Sequence, residues 1–193
     1  MRPDLTIIAA LLGRGERVLD LGCGDGELLE HLIVERGCAG HGVERSTEGF
    51  HACVARGVPV TQAEIEDELP ELGGEAFDWA VLSSVLPATR RPARVLRDMA
   101  RVAPRRIVSL PNLAHWPHRL ALAARGTMPA TPSWHESPNL HPASLRDFEA
   151  LVAESGQRVA RRVLLDAANR PAPRPVRARP NLWAAGAVYV LEG

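Results

Sequence analysis

The sequence predicts an α/β fold built on an open, mostly parallel sheet of about seven strands with helices on both faces. Three observations lead there. From Arg17 onward, short apolar runs alternate with helix-like segments, a pattern that pairs strands in parallel through helical crossovers. A glycine-rich turn, Gly22 to Gly26, joins the first apolar run to a helix. The chain closes on helix, strand, long loop, strand, which makes the last strand antiparallel. At 193 residues and 46% apolar, residues 1–193 fit a single domain.

Each element has a local reason. Arg17 to Leu21 reads as a buried strand. Leu28, Leu29, Leu32 and Ile33 share one helical face, and Gly37 stops that helix. Ala39 to Glu44 is a second strand. Ser46 caps a helix that runs to Arg56 and Gly57. Val58 to Gln62 is a third strand, made irregular by Pro59. The acidic stretch that follows reads as a loop or short helix. Phe77 to Ser83 is the fourth strand. Pro92 opens a helix that reaches Val102, and Arg106 to Leu110 is the fifth strand.

Residues 111–143 break the rhythm. They are rich in proline and hold Trp116, Trp134 and four of the seven histidines. A connection this long in a compact domain is usually functional. It reads as a lid-like loop with a short helix over Trp116 to Arg125. Ser144 and Asp147 then form a capping-box start, and Gly156 ends that helix. Arg161 to Asp166 and Leu182 to Leu191 are the last two strands. The Pro/Arg stretch between them, with Arg174, Arg177 and Arg179, reads as a solvated loop rather than an RNA contact.

Composition excludes several classes. There are 23 basic and 23 acidic residues, so no basic surplus supports generic nucleic-acid binding. No apolar run approaches the ~18 residues of a membrane span. The first residues lack a signal-peptide cleavage pattern. Cys23, Cys38 and Cys53 match no zinc or redox spacing, so a reduced, cytoplasmic chain is expected.

The segment VLDLGCGDGELL carries the chemistry. A strand ends at Asp20, glycines follow at 22, 24 and 26, and a helix begins at once. The turn is sharp, and a ligand can lie against its backbone. A dinucleotide fingerprint needs glycine at position 27, where Glu27 stands. The Asp20, Gly22, Cys23, Gly24, Gly26 pattern instead resembles the cofactor loop of class I S-adenosylmethionine (SAM) methyltransferases. Glu44 closes the second strand, where a carboxylate can accept ribose hydroxyls. Asp20 can offset the positive amino-acid end of SAM. By topology, Gln62, Glu64 and Ile65 frame the adenine, and Ser83 lies beneath the ligand.

The resemblance extends further. VLDLGCGDGELL, GVERS, FDWAVLSSVL, IVSLPNLAHW, the PNLH and SLRDFEAL strings and the terminal PNLWAAGAVYVL together resemble the methionine biosynthesis protein MetW family, in order and over nearly the whole chain. The family pattern has glutamines where this chain has Ser84 and Pro87, and reads Trp-Tyr-Asp-Thr-Pro-Asn where Trp134 to Asn139 reads WHESPN. The resemblance implies a Rossmann-like class I methyltransferase fold, binding of SAM or S-adenosylhomocysteine, and action with or on homoserine O-acyltransferase. An independent methyltransferase acting on a small molecule or protein is the alternative. Should an acceptor need a base, His115, His135, Glu136 and His141 are the candidates. Trp116 and Trp134 can wall a substrate pocket. His115 and His118 lack the further ligands of a metal site.

Overall fold

The five strands between Arg17 and Pro111 are short and apolar, and each is joined to the next through a helix, so they pair in parallel. The computed structural model describes residues 1–126, 140–173, 176 and 178–193. In chain order it contains α1 (Pro3–Leu11), β1 (Arg17–Leu21), α2 (Glu27–Arg36), β2 (Ala39–Glu44), α3 (Thr47–Ala55), β3 (Val60–Gln62) and α4 (Ile65–Glu71). Then come β4 (Trp79–Ser83), a 3₁₀ turn (Leu86–Ala88), α5 (Pro92–Val102), β5 (Arg105–Pro111), α6 (Trp116–Arg125), α7 (Leu145–Glu154), β6 (Arg158–Leu165), α8 (Pro180–Trp183) and β7 (Gly186–Glu192).

The sheet order is β3-β2-β1-β4-β5-β7-β6, and β7 runs antiparallel between β5 and β6. This is the mostly parallel seven-stranded sheet that the sequence predicts. Strand order reverses at β1, with β2 and β3 on one side and β4 and β5 on the other. Ligands of open α/β sheets bind outside the strand ends at such a point. Alternate strand residues face opposite layers. Val18, Val81 and Ile107 pack with Ile8, Leu29 and Cys53, beneath α1, α2 and α3. Leu19, Ala80 and Val108 pack with Leu69, Leu96 and Phe148, beneath α4, α5 and α7.

Several boundaries differ from expectation. The chain opens with a helix, α1, that the alternating pattern from Arg17 onward does not include; Pro3 in its first turn and Asp4 behind it are its start signals. The acidic stretch forms α4. The final strand starts at Gly186 rather than Leu182, because Pro180 seeds a helical turn closed by Ala184 N–H on the Pro180 carbonyl. The sixth strand starts at Arg158 rather than Arg161; its first five residues, Arg158 to Arg162, are exposed, and Arg158, Arg161 and Arg162 interrupt any apolar run. The capping box at α7 is complete: Ser144 accepts from Asp147 N–H, and Asp147 accepts from Ser144 N–H.

A buried arginine fixes α7 to the sheet. Arg106 on β5 is 2% exposed. Its Nε and Nη2 donate to Gln157 Oε1 at 3.1 and 2.9 Å, and its Nη1 donates to the Pro104 carbonyl at 2.6 Å. Burial draws the guanidinium below its usual range. Gln157 in turn donates to the Leu96 carbonyl at 2.8 Å, so β5, α5 and the end of α7 share one polar node. Removing one partner strands a buried charge, whereas removing both does not. Gln157→Leu is therefore expected to cost about 3 kcal/mol in denaturant unfolding, and Arg106→Met with Gln157→Leu less than Gln157→Leu alone.

Candidate functional site

The glycine loop crosses the end of β2 and is pinned there. Gly22 N–H donates to the Val43 carbonyl at 2.7 Å. Glu44 then grips both sides: Oε2 accepts from Gly24 N–H at 3.0 Å and Oε1 from Ser46 N–H at 2.8 Å. Gly22, Gly24 and Gly26 all have positive φ, at 73°, 59° and 78°. Their surroundings separate their roles. A Cβ on Gly22 would meet Val85 Cγ2 at 2.6 Å, and one on Gly26 would meet Cys53 Sγ at 2.9 Å. A Cβ on Gly24 would meet nothing within 4 Å. Gly22 and Gly26 are thus needed for packing, while Gly24 faces open space.

Two cavities of about 310 Å³ each meet over this loop and share Gly22, Ser84 and Val85. One is lined by Glu44, Ala63, Glu64 and Ile65, with Thr89, Arg90 and Leu140 opposite. The other is lined by Asp20, Cys23, Gly24 and Ser83, with Arg2 and Leu5 of the N-terminal segment above. The loop residues, Glu44, Glu64, Ile65 and Ser83 thus fall around one continuous crevice. Gly26 and Gln62 do not line these cavities. Gln62 instead donates to Thr47 Oγ1 at 3.0 Å.

Asp20 is the electrostatic centre of the second cavity. It is 3% exposed, and its carboxylate accepts no hydrogen bond from the described residues. Burial pushes its pKa up to about 7; Arg2 pulls it down and Glu44 pushes it further up. The Arg2 guanidinium donates to Asp4 Oδ2 at 3.2 Å and to Ser83 Oγ at 3.3 Å. Ser83 Oγ also lies 3.1 Å from Ser109 Oγ. Ser84, at the junction of the cavities, has φ of 62°, a strained value for a residue with a side chain. Cys23 Sγ lies 3.6 Å from Cys53 Sγ, and burial pushes both thiols up, so they pack as neutral groups.

Sequence reasoning missed Arg2 and Leu5, which reach the site because α1 lies over the strand ends. The Met1 ammonium holds that segment down on Glu27 Oε1 at 2.5 Å. It also missed Val85, Thr89 and Arg90 of the β4–α5 connection, which carry no motif. Of the stretch 111–143, Pro111 ends β5, residues 116–125 form α6, and Leu140 lines the first cavity. Residues 127–139, and with them Trp134, His135 and Glu136, lie outside the described residues, as do Arg174 and Arg177. His115 sits 5.9 Å from the His118 ring, and burial and His118 both draw its pKa down. His141 donates its N–H to the Pro87 carbonyl and lines a separate hollow rather than either of the two cavities, although its neighbour Leu140 lines the first.

Known proteins resemble this chain at two levels. Solved structures share the fold over nearly its whole length. A SAM-dependent methyltransferase from Archaeoglobus fulgidus is 16% identical with a TM-score of 0.68, covering 98% of this chain and 94% of its own. One from Mesorhizobium loti is 17% identical with a TM-score of 0.69, covering 97% and 96%. The [4+2]-cyclase SpnF is 18% identical with a TM-score of 0.68, covering 97% and 79%. A curated relative, the bifunctional methionine biosynthesis protein MetXA/MetW of Rhodopirellula baltica, is 29% identical over 164 residues, 78% of this chain. The match spans only 26% of that longer protein. The family model of the methionine biosynthesis protein MetW matches residues 2–191. With a match of that extent, the chain belongs to the MetW family.

Proposed function

We propose that the chain binds SAM or S-adenosylhomocysteine across the two cavities and acts with, or regulates, homoserine O-acyltransferase. One observation carries the ligand reading: a buried carboxylate with no hydrogen-bond donor among the described residues, Asp20, faces the cavity at the α2 N-terminus. A dinucleotide would bring its anionic pyrophosphate to that helix end. Asp20 disfavours an anion there and suits an ammonium or sulfonium. The open face of Gly24 leaves room for the ligand, and Glu44 retains lone pairs for ribose hydroxyls. When bound, SAM brings a methyl group already activated on sulfur.

The partner reading is supported by family membership and by the relative whose name joins MetXA and MetW in one bifunctional protein. It also has a physical rationale. Methionine is the precursor of SAM, so a SAM-binding protein can report pathway output. A tenfold effect on the partner requires that SAM favour one state by only ~1.4 kcal/mol. The alternative, methyl transfer to a separate acceptor, is supported by the fold shared with SAM-dependent methyltransferases.

Calorimetric titration tests the ligand. SAM and S-adenosylhomocysteine are expected to bind; tight NADH binding without SAM binding would overturn the reading. Gly24→Asn keeps a residue tolerant of positive φ yet fills the open space, so it is expected to fold and bind SAM more weakly.

The raised pKa of Asp20 gives a second expectation with a definite sign. Between about 4 and 7 the folded chain binds more protons than the unfolded one, so ligand-free stability falls as pH rises through that window and levels off above it. Asp20→Asn removes the buried charge, so its melting temperature at pH 8 is expected to exceed that of the parent. The same variant loses a charge-assisted contact, which weakens SAM binding roughly 10- to 100-fold. SAM affinity of the parent rises with pH through about 7, and that of the variant does not. A variant that is less stable at pH 8 would count against this account.

The partner is tested by acyltransferase activity of the cognate enzyme with and without this chain, at low and high SAM. A change that depends on SAM is expected. Unchanged activity in every combination, without co-elution, would leave independent methyl transfer as the better reading. That reading is scored by formation of S-adenosylhomocysteine with candidate acceptors.

A further inference from the structure

On the far side of the sheet's β7–β6 edge, a hollow of about 390 Å³ lies between α6, α7, β6 and α8. It shares no residue with the two cavities over the glycine loop. Four arginines line it, Arg119, Arg146, Arg162 and Arg179, against one glutamate, Glu149. The glutamate is already engaged: Glu149 Oε1 accepts from Arg162 Nη1 at 2.5 Å and from Tyr189 Oη at 2.9 Å. Arg119 donates to the carbonyls of Ala114 and Asn181. The guanidinia of Arg146 and Arg179 have no hydrogen-bond or ion-pair partner among the described residues. The chain as a whole has zero net charge, so this concentration of unbalanced positive charge is local.

Aromatic surface adjoins the arginines. Trp183 follows Leu182 and Asn181, both of which line the hollow, and Trp116 stands one helical turn before Arg119. Their rings pack 6.2 Å apart, yet Trp116 is 43% and Trp183 48% exposed. Helix α6 buries none of its residues fully.

We propose that this hollow is a second small-molecule site, for a nucleotide-type ligand whose phosphates lie among the arginines and whose base lies against Trp183 and Trp116. Guanidinium forks match phosphate oxygens in pairs. Exposed indoles offer a stacking face to any base. A concave hollow of this size suits a small molecule better than the flat face of a protein partner. The site is independent of SAM binding, which involves a separate crevice.

The test uses the full chain with saturating S-adenosylhomocysteine, which blocks the first crevice to adenosine. ADP and pyrophosphate are titrated by calorimetry and by tryptophan fluorescence. Both are expected to bind, more weakly at high salt. Arg146→Gln with Arg179→Gln should weaken both about a hundredfold. Trp183→Leu should weaken ADP about tenfold and leave pyrophosphate unchanged. All three substitutions are at exposed positions, and unchanged melting temperatures confirm folding. ADP binding that S-adenosylhomocysteine abolishes would overturn the proposal, as would an absence of binding or binding indifferent to the arginines. Equal ADP affinity in Trp183→Leu would reduce the hollow to a bare anion site and overturn the nucleotide assignment. A single-stranded RNA binding tenfold more tightly than ADP would overturn it in favour of a nucleic-acid surface.

Discussion

Everything around the crevice is organised by one residue, Glu44. Its two carboxylate oxygens take the N–H groups of Gly24 and Ser46, and its main-chain carbonyl takes the N–H of Ala63 at 3.2 Å. Three separate connections, β1–α2, β2–α3 and β3–α4, are thereby tied to the last residue of β2. The two bonds to the carboxylate contribute about 1.5–3 kcal/mol each and the main-chain bond about 1, and Glu44 is buried, so these are strong restraints on segments that are otherwise loops. Glu44 also presents its remaining lone pairs to the first cavity. Its structural role and the ligand-binding role proposed for it therefore cannot be separated by alanine substitution. The shape of the glycine loop and the negative charge at the edge of the first cavity are set by the same carboxylate.

Asp20 represents the opposite choice. Glu44 is buried with its partners in place, whereas Asp20 is buried without them. The nearby charges are Arg2, half-exposed and shared with Asp4, and Glu44, which repels. A fold selected only for stability would place an apolar residue or an amide at this strand end. On the proposed reading, the cost falls where a cationic ligand would meet the carboxylate, which is how a site preorganised for a cation differs from a site that is merely empty. The cysteines beside it behave differently. Cys23 and Cys53 fill the space that Gly42 and Gly26 leave, and a Cβ on Gly42 would come within 2.6 Å of Cys23 Sγ. They explain two glycines by packing, with no chemistry required.

The sequence displayed the parts of this architecture whose causes are local. Buried parallel strands read as continuous apolar runs, and Ser46, Gly37 and the Ser144–Asp147 pair mark helix ends through hydrogen bonds made within a few residues. Where causes are non-local, the reading weakens. The apolar residues of α1 are not confined to one face, so periodicity gives it no signature. Leu182 to Val190 is apolar throughout, and only Pro180 and the Ala184 bond divide it into a helical turn and a strand. Glu44, Glu64, Ile65 and Ser83 were placed near the crevice because topology fixes strand ends. The direction of a side chain is not fixed that way. Gln62 sits at a strand end too, yet it turns to the Thr47 hydroxyl, a contact across 15 residues that spacing does not reveal.

The fold narrows function less than the site does. The same architecture, at similar TM-scores and similarly low identity, occurs in SAM-dependent methyltransferases and in a [4+2]-cyclase. What these proteins share with the chain is the architecture, and architecture alone does not fix a reaction. In this chain the second cavity is bordered by the N-terminal segment, whose Arg2, just before α1, bonds to Asp4 and Ser83 and lies close enough to lower the pKa of Asp20. On the reading that a cation binds at Asp20, its charge and that of Arg2 address the same carboxylate. Binding then satisfies Asp20 and at the same time removes an electrostatic reason for Arg2 to lie where it does. On that reading the N-terminal segment, which also carries the Met1–Glu27 ion pair, would be coupled to ligand charge by ordinary Coulombic competition. Such coupling requires no methyl transfer; on the proposed reading of SAM binding, it is a physical route from ligand occupancy to a change on the chain's own surface.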